Sequence, residues 1–491
     1  MNLVKYFLIF SLLYYFNASA SLFPINSGIE NSENNVLIND YWYQKARLFN
    51  DLMDKKLLFL KPNTNKTAFD IYDNARDIVD SQIKLSTSVT EIHELGLSSS
   101  HLDFEYWTGY FWSLQVGLVG GRLADMKFLK QSDWKGKMNY VKTNPAQTYV
   151  PKKIHLLSPS EKYELLIGDT ENILTSLMWK KGQQTMDEFG QIFSWIGLCD
   201  GMAVATINLP MPKKSITLWS IDKKNKIKFY PEDIKALGTL LWKQGNFPLT
   251  IVGDRCNDST PRVNPNGRYS QPECFDTNPG TFHLALANQI GKAKRSFIMD
   301  SVASWEIWNY PIVGYDFKYL NPQNLDQSAT PTTPTYLPPS EAIIPIGEYT
   351  NDKYSQFRSP LAAFVVGVEA QVNILKDRYP QFLDKDGPEH NVSSVETFKY
   401  DLELDQKGNI IGGEWYTHEH PDFLWITNKG AMAKGPFDNE LQGNWDPKKE
   451  LFPEAWVEPA LRSSRFGIIP SQIVIKLFEL SNQEGEGFNP N

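Results

Sequence analysis

The spacing of apolar residues along the chain changes period repeatedly, and each change predicts an element. Tyr41, Trp42, Tyr43, Leu48, Leu52, Leu57 and Leu58 recur at helix-like intervals. Ser158-Pro159-Ser160-Glu161 predicts a helix start, with Ser158 as N-cap, Pro159 in the first helical position and Glu161 closing a capping box. That helix should run to about Ile167 and be followed by Trp179 and a linker to Gly190. Another helix is predicted from the neighbourhood of Cys199 to about Asn208. Shorter apolar runs at 215–219 and 226–230 read as strands around a solvated basic turn, 222–225, and Pro231-Glu232-Asp233-Ile234 opens a further helix. Residues 296–300, 364–370, 400–404 and 410–415 read as strands, the last two joined by the turn 405–409.

The same patterning divides the chain. Met1-Asn2-Leu3-Val4-Lys5 precedes an apolar run, 6–16, that closes on Ala18-Ser19-Ala20, the layout of a secretory signal peptide over 1–20. That run is too short to span a membrane comfortably, and no later segment approaches the required length. The mature protein is therefore expected outside the cell or in a periplasm, with no membrane partner. Residues 21–100 turn from polar to helical in pattern. They read either as a pro-segment or as an N-terminal helical layer of the mature fold. A core is expected over 101–320, a Pro/Thr-rich connector over 321–340, strands completing the core over 341–482, and a disordered tail over 483–491. The net charge of −8 supplies no basic footprint for nucleic acid.

Candidate chemistry centres on Trp195-Ile196-Gly197-Leu198-Cys199-Asp200-Gly201. A cysteine at a helix N-terminus meets unpaired backbone N–H groups and the positive end of the helix dipole, which favours the thiolate and makes Cys199 a candidate nucleophile. A buried structural cysteine fits the same segment. Gly197 and Gly201 are read as room for a substrate backbone beside the sulfur. Among the seven histidines, His283 follows a Pro-Gly turn and starts an apolar run, so it is expected at the beginning of a core element. Asp300 ends the next apolar strand. If the two elements are adjacent strands, Asp300 can orient the imidazole that accepts the thiol proton.

The motifs G-L-C-x-G-x-A-x-A, D-T-N-P-G-T-F-H-L-A-L-x-N-Q-I-G and F-I-M-D, followed by W-E-I-W-N-Y-P-I-V-G-Y, resemble the transglutaminase elicitor family of oomycete secreted enzymes and bacterial relatives. The resemblance continues at 157–169, at Gly412-Gly413-Glu414-Trp415 and at His420-Pro421-Asp422-Phe423-Leu424-Trp425, and spans about 104–426. It implies an α+β fold. This would be a papain-like transglutaminase core with the nucleophile at a helix N-terminus packed on an antiparallel sheet, plus an N-terminal helical region. It implies Cys199, His283 and Asp300 as a triad that joins protein glutamine to lysine or other primary amines. Calcium is a candidate cofactor on the same ground, although the chain shows no EF-hand pattern. Residues 305–315 are similar to the surface stretch through which plants perceive the oomycete enzymes. Asp200 and Met202 stand where the resemblance leads one to expect a polar residue and tryptophan.

Around the nucleophile, the aromatic stretch 104–122 reads as core or as a cleft wall, and Trp107, Trp112 or Gln115 could donate to an oxyanion. Trp195, Trp305, Trp308 and Asn309 are further cleft candidates. With three cysteines in an exported chain, the close spacing favours a Cys256–Cys274 disulfide and leaves Cys199 free. His418, Glu419 and His420 with Glu414 read as a solvent-facing turn rather than a metal site. A papain-like protease or amidase would share every catalytic residue, and a catalytically inactive interaction protein remains a third reading.

Overall fold

Long strands rich in β-branched and aromatic residues form the frame on which the rest of the chain is hung. The computed structural model describes residues 73–483, apart from 254–255, 257–259, 261, 271–273, 275–276, 303, 326–334 and 417–419. The chain divides into units Met1–Lys66 and Thr67–Asn491, and every described residue belongs to the second. The expected signal peptide, most of the 21–100 region, much of the connector and the tail beyond Gln483 lie outside the described residues.

In chain order the strands are β1 (Ser99–His101), β2 (Ile216–Trp219), β3 (Lys226–Phe229), β4 (Leu249–Gly253), β5 (Ile298–Asp300) and β6 (Asn309–Leu320). They continue with β7 (Ile344–Pro345), β8 (Phe364–Leu375), β9 (Ser393–Leu404), β10 (Ile410–Gly412) and β11 (Phe423–Thr427). One sheet has the order β10-β9-β8-β6-β5-β11-β4, with β1 added on β6 and β7 on β8, while β2 and β3 form a separate hairpin. The pairings are antiparallel. The helices include α1 (Pro159–Ile167), α2 (Ile173–Phe189), α3 (Cys199–Asn208), α4 (Pro231–Gln244), α5 (Pro279–Ala285), α6 (Val457–Arg465) and α7 (Ser471–Asn482). This is an α+β fold.

Alternation along a strand sends neighbouring side chains to opposite faces. Here it splits the interior in two. Ile298 and Trp425 face a first core that includes Met202 to Ala205 of α3 and Leu237, Leu240 and Leu241 of α4. Met299, Leu424 and Ile426 face a second core that includes Phe282 and Leu284 of α5, with Phe317, Tyr319 and Tyr400 from β6 and β9. The sheet formed by β5 and β11 therefore stands between α3 and α5.

Several predicted elements appear where the local rules put them. The Ser158 hydroxyl accepts from the Glu161 N–H, the Glu161 carboxylate accepts from the Ser158 N–H, and α1 ends at Ile167 on a left-handed Gly168. Four expectations need correction. Residues 173–189 form a helix, not a linker: the buried stripe is Leu174, Met178, Gly182 and Thr185, and a Cβ at Gly182 would lie 2.4 Å from the Trp134 ring. Small and polar residues at buried helical positions hid that stripe. Residues 279–285 also form a helix, because Asn278 caps the Gly280 N–H and Pro279 takes the first helical position. The expected boundary at 100/101 disappears. Ile78, Val79, Val89 and Ile92 are in the second core, β1 pairs with β6, and Tyr315 donates to the Leu97 carbonyl at 2.7 Å. Finally, the stretch 305–315 is not a surface element throughout: residues 305–308 are half-buried and 309–315 are buried in β6.

Candidate active site

The turn that delivers Cys199 is pinned by close backbone approach. Leu198 N–H donates to the Phe111 carbonyl at 2.6 Å, and Leu114 N–H donates to the Ile196 carbonyl at 2.8 Å. Gly197 makes this possible, since a Cβ there would lie 2.5 Å from the Phe111 ring and 2.8 Å from its carbonyl oxygen. Trp112, fully buried, turns the facing segment with a left-handed φ of 47°. Gly201 serves the same end on the other side. A Cβ there would meet the Thr239 carbonyl at 2.5 Å, so the glycine lets α3 lie directly on α4. The two glycines thus accommodate the protein's own backbone, not a substrate's as the sequence reading expected. The close packing also brings Lys243 to Asp200 at 2.6 Å, which compensates the charge beside Cys199.

Cys199 is the first residue of α3, buried, and the free cysteine. Its thiol donates to the Ile307 carbonyl at 3.6 Å. The Asn309 amide Nδ2 lies 3.9 Å from Sγ, contact distance for a sulfur acceptor, and Asn309 Oδ1 accepts from Trp425 Nε1 at 2.7 Å. Asp300, opposite Asn309 in the β5–β6 ladder, accepts from the Trp308 N–H at 2.7 Å. Cys199, Asp300 and Asn309 are therefore brought together on residues 307–309. Burial, with Asp200 next, pushes the Cys199 thiol up to about 12, against opposing contributions from Asn309 and Lys243. The helix N-terminus alone does not produce a resting thiolate here.

His283 is not brought to Cys199. It lies on α5 in the second core, stacked on Phe317 with ring centroids 3.8 Å apart. Nδ1 is 3.0 Å from the Tyr400 hydroxyl and Nε2 is 3.5 Å from the Tyr319 hydroxyl. Burial pushes the imidazole down to about 3, so it is neutral. The expected pairing of His283 with Asp300 assumed two adjacent strands; His283 is instead helical and belongs to the opposite face of β5, where Met299 and not Asp300 points.

The other candidates separate clearly. Trp107 is core, its indole N–H donating to the Leu209 carbonyl at 3.1 Å. Trp112 is core as well. Gln115 is exposed and donates to the Ile192 carbonyl at 3.3 Å, so it braces the loop before Cys199 and offers no oxyanion contact. Trp195, Trp305 and Phe193 form a half-buried aromatic rim, with the two indoles 5.5 Å apart, and Trp308 packs on Phe111 at 5.7 Å. Trp425 escaped the sequence reading as a site residue, because nothing in spacing couples it to an asparagine 116 positions away. Cys256 and Cys274 are joined. His420 stacks on Trp415 at 5.0 Å, and His418 and Glu419 lie outside the described residues. Among the described residues no group of three or more His, Cys, Asp or Glu side chains is placed to hold a metal ion. Among them, too, no helix is long and apolar enough to cross a membrane.

A family model described as transglutaminase elicitor matches residues 180–435, more than half of the 491 residues. The chain belongs to the transglutaminase elicitor family. The match takes in α3, β6 and β11, and hence Cys199, Asn309 and Trp425 together. Among solved structures, the chain is similar to the GP42 transglutaminase from Phytophthora sojae, at 17% identity and a TM-score of 0.49, over 81% of this chain and 94% of that one. That likeness is too low to transfer residue roles. Among curated proteins no match was found.

Proposed function

We propose that this chain is a secreted protein-glutamine γ-glutamyltransferase, acting through a Cys199 thioester. The observation that carries the reading, beside membership of a transglutaminase-type family, is a cysteine at the N-terminus of α3 whose sulfur meets the Asn309 amide. Sγ attacks the carboxamide carbon of a protein-bound glutamine, and the carbonyl oxygen takes the charge. The C–N bond then breaks and the nitrogen leaves as ammonia, carrying the proton that began on Sγ. A lysine amine or another primary amine takes the acyl group and leaves an isopeptide bond; water in its place gives deamidation. The aromatic rim of Phe193, Trp195 and Trp305 offers apolar surface for the substrate stems. Backbone N–H groups of the first turn of α3 and the Asn309 amide are the oxyanion donors in this reading.

His283 does not serve as the contacting base here, since the sheet stands between it and the sulfur. The buried thiol and the distant imidazole favour, as a second reading, a family member that acts by binding. Incorporation of a fluorescent primary amine into a glutamine-rich protein, with wild type and Cys199→Ala and with and without calcium, decides between them. Labelling that vanishes in the variant supports thioester transfer. Absence of labelling under all conditions favours the binding reading, and peptide cleavage instead of labelling favours a protease.

A further inference from the structure

Asn309 and Trp425 are both almost fully buried, and their contact has a chemical consequence for the orientation of the amide. An asparagine amide has a donor end and an acceptor end, and only the hydrogen-bond network distinguishes them. An indole N–H can donate and cannot accept. With Trp425 Nε1 at 2.7 Å, the end of the amide that faces the indole must be the carbonyl oxygen. The NH₂ end is then forced toward the sulfur, 3.9 Å away. A flipped amide would place NH₂ against N–H at one end and a carbonyl oxygen against the sulfur at the other, leaving two buried groups unsatisfied.

We infer that Trp425 is a positioning residue that locks the Asn309 amide with its N–H groups toward Cys199, so that Asn309 donates to the sulfur at rest and to the developing oxyanion during acyl transfer. This rests on the acyl-transfer reading given above. In the forward step the C–S bond forms, the carbonyl π pair moves to oxygen, and an Asn309 N–H donates to that oxygen. When the C–N bond breaks the pair returns and ammonia departs with the proton that Sγ has given up. Trp425 acts through the Asn309 amide, whose oxygen accepts from its indole N–H. The β-sheet explains the precision of the arrangement: Trp425 pairs with Ile298 in the β11–β5 ladder and Asn309 pairs with Asp300 in the β5–β6 ladder, so the donor and its amide sit on one face with β5 between their strands.

The test combines iodoacetamide alkylation of Cys199 across pH with steady-state amine incorporation, in Trp425→Phe, Asn309→Asp, Asn309→Ala and the Asn309→Ala/Trp425→Phe double variant. Asn309→Asp keeps the shape and the bond from Trp425 but presents an oxygen to the sulfur. It should raise the midpoint pH of alkylation and lower kcat by roughly 10²- to 10³-fold with little change in KM. Trp425→Phe keeps the ring and loses the N–H; it should lower kcat by about tenfold in the wild-type background and by nothing further when Asn309 is already alanine. An unchanged alkylation midpoint in Asn309→Asp, or an equal Trp425→Phe effect in both backgrounds, would overturn the inference. If Trp425→Phe does not fold, Asn309→Asp decides alone. Shifted alkylation in a protein that forms no isopeptide bond would sink the acyl-transfer reading while leaving the amide orientation standing. Intact amine incorporation with unshifted alkylation would do the reverse.

Discussion

The two faces of the β5–β11 sheet hold the two residues that sequence reasoning would most readily join, and they are different environments. Cys199 is buried, yet its sulfur touches a backbone carbonyl and an amide, and half-buried Trp195 and Trp305 stand beside its helix entrance. His283 is enclosed by an aromatic ring and two tyrosine hydroxyls from β6 and β9. One face surrounds a sulfur with polar partners beside a half-buried aromatic rim; the other keeps an imidazole neutral and fixed as part of the core. Burial of a reactive residue type therefore does not mark a site unless the same face also supplies partners for developing charge.

The sharpest way to break this comparison is to remove each residue in turn. Cys199→Ala should cost roughly 10³-fold or more in amine incorporation, as for loss of a covalent nucleophile, with little change in melting temperature. His283→Phe should act the other way, lowering stability by about 1–3 kcal/mol through the unsatisfied Tyr400 hydroxyl, while the alkylation rate of Cys199 stays within a factor of two. A folded His283→Phe protein that alkylates normally but has lost all amine incorporation would show that the two faces cooperate after all.

Close packing at the Cys199 turn should come next. Gly197→Ala forces a Cβ against the Phe111 ring and carbonyl, and should destabilise by about 2 kcal/mol while slowing or exposing the thiol reaction. Denaturant unfolding measures the first effect and alkylation the second; an unchanged midpoint and rate would mean that the turn is not held as described.

The acid limb of stability distinguishes the faces more gently. Because burial lowers the His283 pKa to about 3, its unfolded form takes up a proton that the folded form refuses. Its contribution is complete above the unfolded value near 6.5 and is lost as pH falls from there toward 3. Unfolding free energy measured across that window should therefore fall less steeply in His283→Phe than in wild type. Equal slopes would place His283 in contact with solvent. The smallest effect is expected at the ion pair beside Cys199. Lys243→Met should leave Asp200 uncompensated and raise the midpoint of Cys199 alkylation by about half a pH unit, an amount that high salt should reduce.

Much of this molecule was legible in one dimension. The capping box at Ser158, the helix from Cys199 to Asn208, the β2–β3 hairpin, the helix at Pro231 and the strand ending at Asp300 all follow from rules that involve a few neighbouring residues. The pairing of Cys256 with Cys274 followed from counting and spacing, and the motifs carried the family. The reading failed where a local signal had two meanings. Asn-Pro-Gly at 278–280 served equally as a turn and as a helix start, and the helix moved His283 off the strand that would have placed it beside Asp300. Thr175, Gly182 and Thr185 concealed a helix because they interrupt its buried apolar stripe, Gly182 packing closely on the Trp134 ring.

The sequence by itself determined the helices and strands whose caps and periodicity lie within a few residues, the free cysteine at a helix start, and the family. Only the tertiary structure decided which side chains share a face. Strand side chains alternate with a period of two, so ladder register and helix placement together select the group that meets a given sulfur. Those choices put Asn309 and Trp425 with Cys199 and put His283 behind the sheet, and they arise from packing between residues more than a hundred positions apart.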